Sequence, residues 1–257
     1  MKFSSCLICF LLLTFSIFAA NPKYLREDIQ QAHSGDYIVT IQDKTYTLLR
    51  VADRSQQTVT MEEISIPAGK IKTAGFSWRN WIQQGAPQHT CWMQYKIALG
   101  NGKILESYSL SSKGWNTISL ADSFLPTLLN LKFTQVPETA RRRVGSSNNL
   151  WNPPMVVDGK QMQGVMFDVW KTLWPKDGSV LSNKTIEVYL PKDSNLYPTH
   201  FPYWLQIQGG VIGNTHIRIV DSGKELTSPA PPLPKINRPL SKLMVRRFSG
   251  LFWPLFD

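Results

Sequence analysis

The stretch GAPQHTCWMQY, residues 85–95, holds the residue types best suited to chemistry. His89 lies two positions before Cys91, which is the cysteine outside the N-terminal apolar run. An imidazole beside a thiol suits a nucleophile with its base, or two ligands of a metal. Strand periodicity argues against both. In a strand over residues 89–97, His89, Cys91, Met93, Tyr95 and Ile97 share one face, and Thr90, Trp92, Gln94 and Lys96 take the other. Cys91 then belongs to an apolar set, where a thiol packs as a small hydrophobe and its pKa rises. His89 would lie about 7 Å away along the strand, outside hydrogen-bond reach. The spacing predicts a core role for Cys91.

Other catalytic and metal patterns are missing. His33, His89, His200 and His216 form no HxH or HxxxH pair, so no metal site is predicted. Glu62 and Glu63 are adjacent, and successive strand residues point to opposite faces. Asp221-Ser222-Gly223 reads as a turn closing a strand, with no GxSxG elbow. No GxGxxG or Walker A loop is present. The sequence predicts no catalytic residue and no cofactor.

Two aromatic clusters are the candidate ligand-binding residues. In WRNW, Trp78 and Trp81 flank Arg79 at a spacing that puts both rings on one face of a helix or turn. In PTHFPYW, Phe201, Tyr203 and Trp204 sit among prolines. Aromatics near amide and basic groups stack on sugars or line an apolar groove. The competing reading is that they fill a β core.

The elements that must hold these residues are mostly strands. One short helix is predicted within residues 23–33, ended by Ser34-Gly35. Residues 37–41, 45–51 and 58–66 read as strands. Residues 90–99 and 103–110 form a hairpin across Gly100-Asn101-Gly102. A short helix within 119–130 would turn Phe124, Leu128 and Leu129 inward. A helical turn is predicted at 137–143, then a loop or lobe boundary at 145–154. Val156-Val157-Asp158-Gly159-Lys160 marks a tight turn. Residues 165–172, 184–190, 201–208 and 215–221 read as a four-strand antiparallel meander. The predicted class is mainly β, with antiparallel meander sheets and a few short helices. Either one curved sheet, in the manner of a half-barrel, or a two-sheet sandwich satisfies the pattern. By strand count alone, the half-barrel of periplasmic lipoprotein carriers is one such shape.

The ends differ from the middle. Residues 1–20 carry Lys2, an apolar run from Leu7 to Phe18, and Ala19-Ala20, the pattern of a signal peptide cleaved near Ala20. The bulky Phe18 keeps an uncleaved anchor as the alternative. Residues 21–227 form the β-rich exported domain. Residues 228–239 are proline-rich and read as an extended linker. Residues 240–257 are basic and amphipathic, and Lys242, Arg246, Arg247, Phe248, Phe252 and Trp253 are candidates for membrane or partner contact.

The formal charge is +10 over 257 residues. Export argues against nucleic acid, and no aromatic–basic RNA motif is present. Anionic lipid, glycan or an acidic protein fit better. One cysteine remains after the leader, which excludes an intrachain disulfide and suits a bacterial periplasm or envelope. The sequence points to a non-catalytic binding or carrier module for an apolar or amphipathic ligand. The alternative is a structural protein that docks on membrane or partner through its tail.

Overall fold

The structure is a computed structural model and describes residues 21–71, 75–117, 124–146, 148–193, 195–210, 213–235 and 246–247. The leader expected at residues 1–20 lies outside the described residues. So do Lys242, Phe248, Phe252 and Trp253.

Runs rich in β-branched and aromatic residues form the strands. The first six are β1 (Tyr37–Gln42), β2 (Thr45–Arg54), β3 (Thr58–Pro67), β4 (Cys91–Ala98), β5 (Ile104–Ser109) and β6 (Gly114–Thr117). Short pieces follow: β7 (Thr134–Gln135), β8 (Arg143–Val144), β9 (Asn149–Leu150), β10 (Met155–Val157) and β11 (Lys160–Met162). The second meander is β12 (Phe167–Leu173), β13 (Thr185–Pro191), β14 (Trp204–Gly210) and β15 (Gly213–Gly223), and β16 is Arg246–Arg247. The helices are α1 (Leu25–Ile29), α2 (Trp78–Gln83) and α3 (Phe124–Asn130).

One sheet contains most of these strands, in the order β16-β6-β5-β4-β3-β2-β1-β15-β14-β13-β12-β7. Its pairings are antiparallel except for β16, which runs parallel to β6. The predicted class therefore holds, as a single sheet rather than two. Two meanders, β1–β6 and β12–β15, are joined edge to edge where β1 meets β15.

Both faces of the first meander are buried. On one, Ile38, Leu49, Val51, Val59, Met61, Met93, Tyr95 and Ile97 pack into a core with Leu25 and Ile29 of α1 and Phe124, Leu128 and Leu129 of α3. The three α3 residues are the ones its helical spacing turns inward. On the other face, Tyr37, Val39, Leu48, Ile64, Ile66 and Trp92 pack with Trp78, Trp81 and Ile82 of α2 and with Leu226. Two covered faces explain why several strands lack a polar side.

Helix α1 is short and relies on its surroundings. Arg26 bonds Asn130 of α3 at 2.6 Å, and Arg54 of β2 bonds the Ala32 carbonyl at 3.1 Å. The buried Asp28 carboxylate pairs with Lys23 at 2.7 Å. Burial raises its pKa from 3.8 to about 6, more than the Lys23 charge lowers it. An acid raised on folding stabilises the fold fully below its unfolded pKa, and the contribution is lost as pH rises through the folded value. The window is therefore about pH 4 to pH 6. Asp28→Asn removes this slope. Urea melts should show the variant losing up to about 3 kcal/mol less than the unaltered chain between these limits.

Candidate functional site

β4 begins at Cys91, and His89 falls in the preceding turn, where Gln88 is left-handed at φ 65°. The His89 ring bonds the Ala86 carbonyl at 2.8 Å and meets the Trp92 ring edge-on at 5.3 Å. Trp92 belongs to the second face, so His89 does not share a side with Cys91. The expectation of a common face fails because the strand starts two residues later than the pattern suggests. Cys91 packs against the first core. Burial, with the Glu63 carboxylate adding, pushes its thiol up to about 12. Such a thiol is protonated at neutral pH and is a poor nucleophile.

Four of the five candidate aromatics are interior. Trp78 and Trp81 do share one face of α2, meeting edge to face at 5.6 Å, but that face is buried on the sheet. Ser77 caps this helix, accepting from the Asn80 amide. Trp81 also donates its indole N–H to the Pro87 carbonyl at 3.0 Å. Phe201 and Tyr203 lie in the first core, and the Tyr203 hydroxyl bonds Ser222 at 3.0 Å. For these four the core reading is the observed placement: α2 turns Trp78 and Trp81 onto the sheet, and Phe201 and Tyr203 lie in the segment leading into β14, which begins at Trp204, later than the strand expected from residue 201. Trp204, one position out of phase with Tyr203, is half-buried.

Around Trp204 an aromatic and cationic cluster reaches the surface. Its ring stacks on exposed His216 of β15 at 4.5 Å and meets Trp151 at 5.0 Å, nearly at right angles. Trp151 also meets Tyr189 edge-on at 5.0 Å, and the Arg142 guanidinium lies over its ring at 4.7 Å. Exposed Arg218 is the cross-strand partner of Trp204. Burial, with Glu187 nearby, raises the Tyr189 phenol well above its ordinary range, so it stays neutral. Sequence reading missed Trp151 and His216 as a surface pair. Trp151 closes the NNLW loop that follows Arg141-Arg142-Arg143, and nothing local says which strand that loop meets.

A second polar cluster lies where the β10–β11 hairpin meets β1 and α2. The turn Asp158-Gly159 is left-handed at both residues, φ 49° and 75°, the type I′ geometry that suits Asp-Gly. Asp158 Oδ1 accepts from the Tyr37 hydroxyl at 2.8 Å and from Arg79 Nε at 2.7 Å. Arg79 also donates to the carbonyls of Glu225, at 3.3 Å, and Lys224. Asp221 Oδ1 accepts the amides of Gly159 at 3.1 Å and Ser222 at 2.9 Å. The Ser222 hydroxyl donates to the Val156 carbonyl at 2.9 Å. Burial opposes the charge of Asp158, but hydrogen bonds from Arg79 and Tyr37 outweigh it and hold the carboxyl below its usual range. Burial pushes Asp221 the other way. A cleft of about 190 Å³ lies beside these groups. Its donors and acceptors are spent on one another, which makes the cluster a latch between four segments. Ser222, buried in this network, is structural.

A second cleft, of about 480 Å³, is lined by His33, Asp36, Arg54, Tyr197, Thr199 and Lys224 among others. Nearby His200 is buried, and desolvation lowers its pKa to about 4 despite the Asp36 charge. It is neutral at pH 7. Among the described residues, no group of three His, Cys, Asp or Glu side chains is placed to hold a metal ion. Among them too, no helix is long and apolar enough to cross a membrane.

Fold and clusters define a β-rich protein built on one large antiparallel sheet with few short helices. Residues 47–163, under half of the chain, match the family described as CT021 protein. The chain is also similar to the hypothetical protein CT021 from Chlamydia trachomatis, whose structure is known at 2.0 Å resolution. The match has a TM-score of 0.63 at 21% identity and covers 84% of this chain and 99% of that one. At that identity the likeness shows a shared fold. No curated protein matches the chain.

Two outcomes follow from this geometry. Cys91 should resist iodoacetamide at pH 8 in the folded chain and react on denaturation, and Cys91→Ala should cost about 1–2 kcal/mol. Gly223→Ala should cost more, about 2–4 kcal/mol by thermal melting. A Cβ there would stand 2.6 Å from both Asp158 Oδ1 and the Tyr37 ring, forcing the latch apart.

Proposed function

We propose that the protein is an exported, non-catalytic binding protein of the cell envelope that engages an amphipathic, anionic partner through the surface around Trp204. The observation that carries this reading is the Trp151–Trp204–His216 cluster. Aromatic rings are brought to the surface there, with the Arg142 guanidinium over Trp151 and Arg218 across the strand pair from Trp204. Rings of this kind settle at the boundary between apolar and wet surroundings, and the guanidinium groups attract phosphate or carboxylate. The buried positions of Trp78, Trp81, Phe201 and Tyr203 favour a surface contact over the carriage of a ligand between them.

A second reading places the contact at the C-terminal segment. Arg246 and Arg247 pair with Asn116 and Thr117 at the β6 edge, which favours a tail held near that edge.

Co-sedimentation with vesicles separates the two. The chain should bind vesicles containing phosphatidylglycerol and ignore pure phosphatidylcholine. Arg142→Ala should weaken binding about fivefold, and Trp204→Ala about tenfold. Equal binding to both lipids, or unchanged binding by Trp204→Ala, would count against the Trp204 surface. Loss only on deletion of residues 240–257 would favour the tail.

A further inference from the structure

Residues 224–235 leave β15 and cross the second face of the sheet, bonded to one strand after another. Arg50 Nε of β2 donates to the Leu226 carbonyl at 2.6 Å. The Ser228 hydroxyl donates to the Glu62 carboxylate of β3 at 2.7 Å. The Gln94 amide of β4 donates to the Pro231 carbonyl at 3.1 Å. The three sheet residues are direct cross-strand neighbours, Arg50 opposite Glu62 and Glu62 opposite Gln94. The same row continues to Tyr108 of β5 and Trp115 of β6, whose rings meet edge to face at 5.2 Å. The Pro231 contact falls at Gln94, and Tyr108 and Trp115 lie further along the same row.

The strap is preordered for this path. Ser228-Pro229-Ala230-Pro231-Pro232-Leu233-Pro234 has a proline at, or directly after, every position. Proline fixes its own φ and biases the preceding residue to extended angles, so the segment favours polyproline II with three residues per turn. Ala230 and Leu233, three apart, are half-buried, while Pro229, Pro231, Pro232 and Pro234 are exposed. Ala230 packs on the second core. Beneath it, Glu62 is fully buried and accepts from Arg50 at 2.8 Å and from Trp92 at 2.8 Å, as well as from Ser228.

Side-chain donors aimed at peptide carbonyls, aromatic rungs and a preordered ligand are the parts of a polyproline recognition groove. We propose that the row Arg50–Glu62–Gln94–Tyr108–Trp115 is a docking groove for proline-rich peptides, closed by the chain's own residues 226–235 acting as an internal ligand. The partner is an extended proline-rich segment. A small hydroxyl residue in it donates to Glu62, and its carbonyls accept from Arg50 and Gln94. A tethered competitor masks such a groove and multiplies the apparent affinity by the fraction of time the groove stays open. This inference is independent of the surface around Trp204.

The test uses the full chain and a fluorescein-labelled peptide with the sequence of residues 226–235. Ser228→Glu places a second carboxylate against buried Glu62 and should release the strap, seen as faster hydrogen exchange over residues 226–235. Fluorescence anisotropy should then show the peptide binding this variant at least about tenfold tighter than the unaltered chain. A control peptide with its prolines replaced by glycine should bind neither. Should Ser228→Glu fail to fold, Ser228→Ala gives the same ordering at about threefold. The proposal is overturned if the peptide binds variant and unaltered chain alike, if it binds neither, or if the control binds as well. Unchanged strap exchange in a folded Ser228→Glu chain overturns it too, because the strap is then a fixed cover.

Discussion

The pairing of β1 with β15 is the constraint on which the other features hang. It sets residues 37–41 against 218–223, so the beginning and end of the β-rich region lie side by side. Without it, two meanders would each present a bare edge, and neither would reach the size of the observed sheet. The seam is closely fitted. A bulge at Val39/Thr40 absorbs one extra residue of β15, and Gly35, left-handed at φ 90°, stands so near Glu225 that a Cβ would lie 2.9 Å from its Cα. The Leu226 amide then bonds the Gly35 carbonyl at 2.9 Å. Both the latch and the strap begin here. Tyr37 opposes Gly223, and the next residues of the chain supply the carbonyls held by Arg79 and Arg50.

Local structure was legible in the sequence, and long-range partnership was not. Alternation located the main strands, and the Asp158-Gly159 turn formed as its residue types require. The inward residues of α3 and the apolar company of Cys91 also followed from spacing. β6 escaped notice because four residues, Gly114–Thr117, carry too little alternation to register. The β1–β15 seam has no local signature, since either edge looks the same whatever pairs with it. Aromatic residue types could not separate core from surface: Tyr203 and Trp204 are neighbours in sequence, and one is buried while the other reaches water. The prolines after residue 227 carried no information on what that segment lies against.

Buried polar groups set the sheet's alignment where apolar contacts would tolerate error. Arg50, Glu62 and Gln94 occupy one transverse row, and a one-residue slip of β3 would turn Glu62 onto the first face and leave Arg50 without its partner. The carboxylate is costly to bury, and three donors offset that cost only in the observed register. Asp158 plays a comparable part for the β10–β11 hairpin. Its two donors come from β1 and α2, far apart in the chain, so the hairpin is held by contacts that only the assembled fold supplies.

The seam also has a consequence in time. A chain made from its N-terminus presents β1 long before β15 exists. At roughly 5–20 residues per second, about 10–35 seconds separate the appearance of the two strands. Throughout that interval the outer row of amides and carbonyls on Tyr37–Gln42 faces solvent as an open edge. A nascent neighbour could pair with it by the same hydrogen bonds that β15 later makes. Until β15 arrives, anything that covers residues 37–42 protects the whole sheet from pairing wrongly.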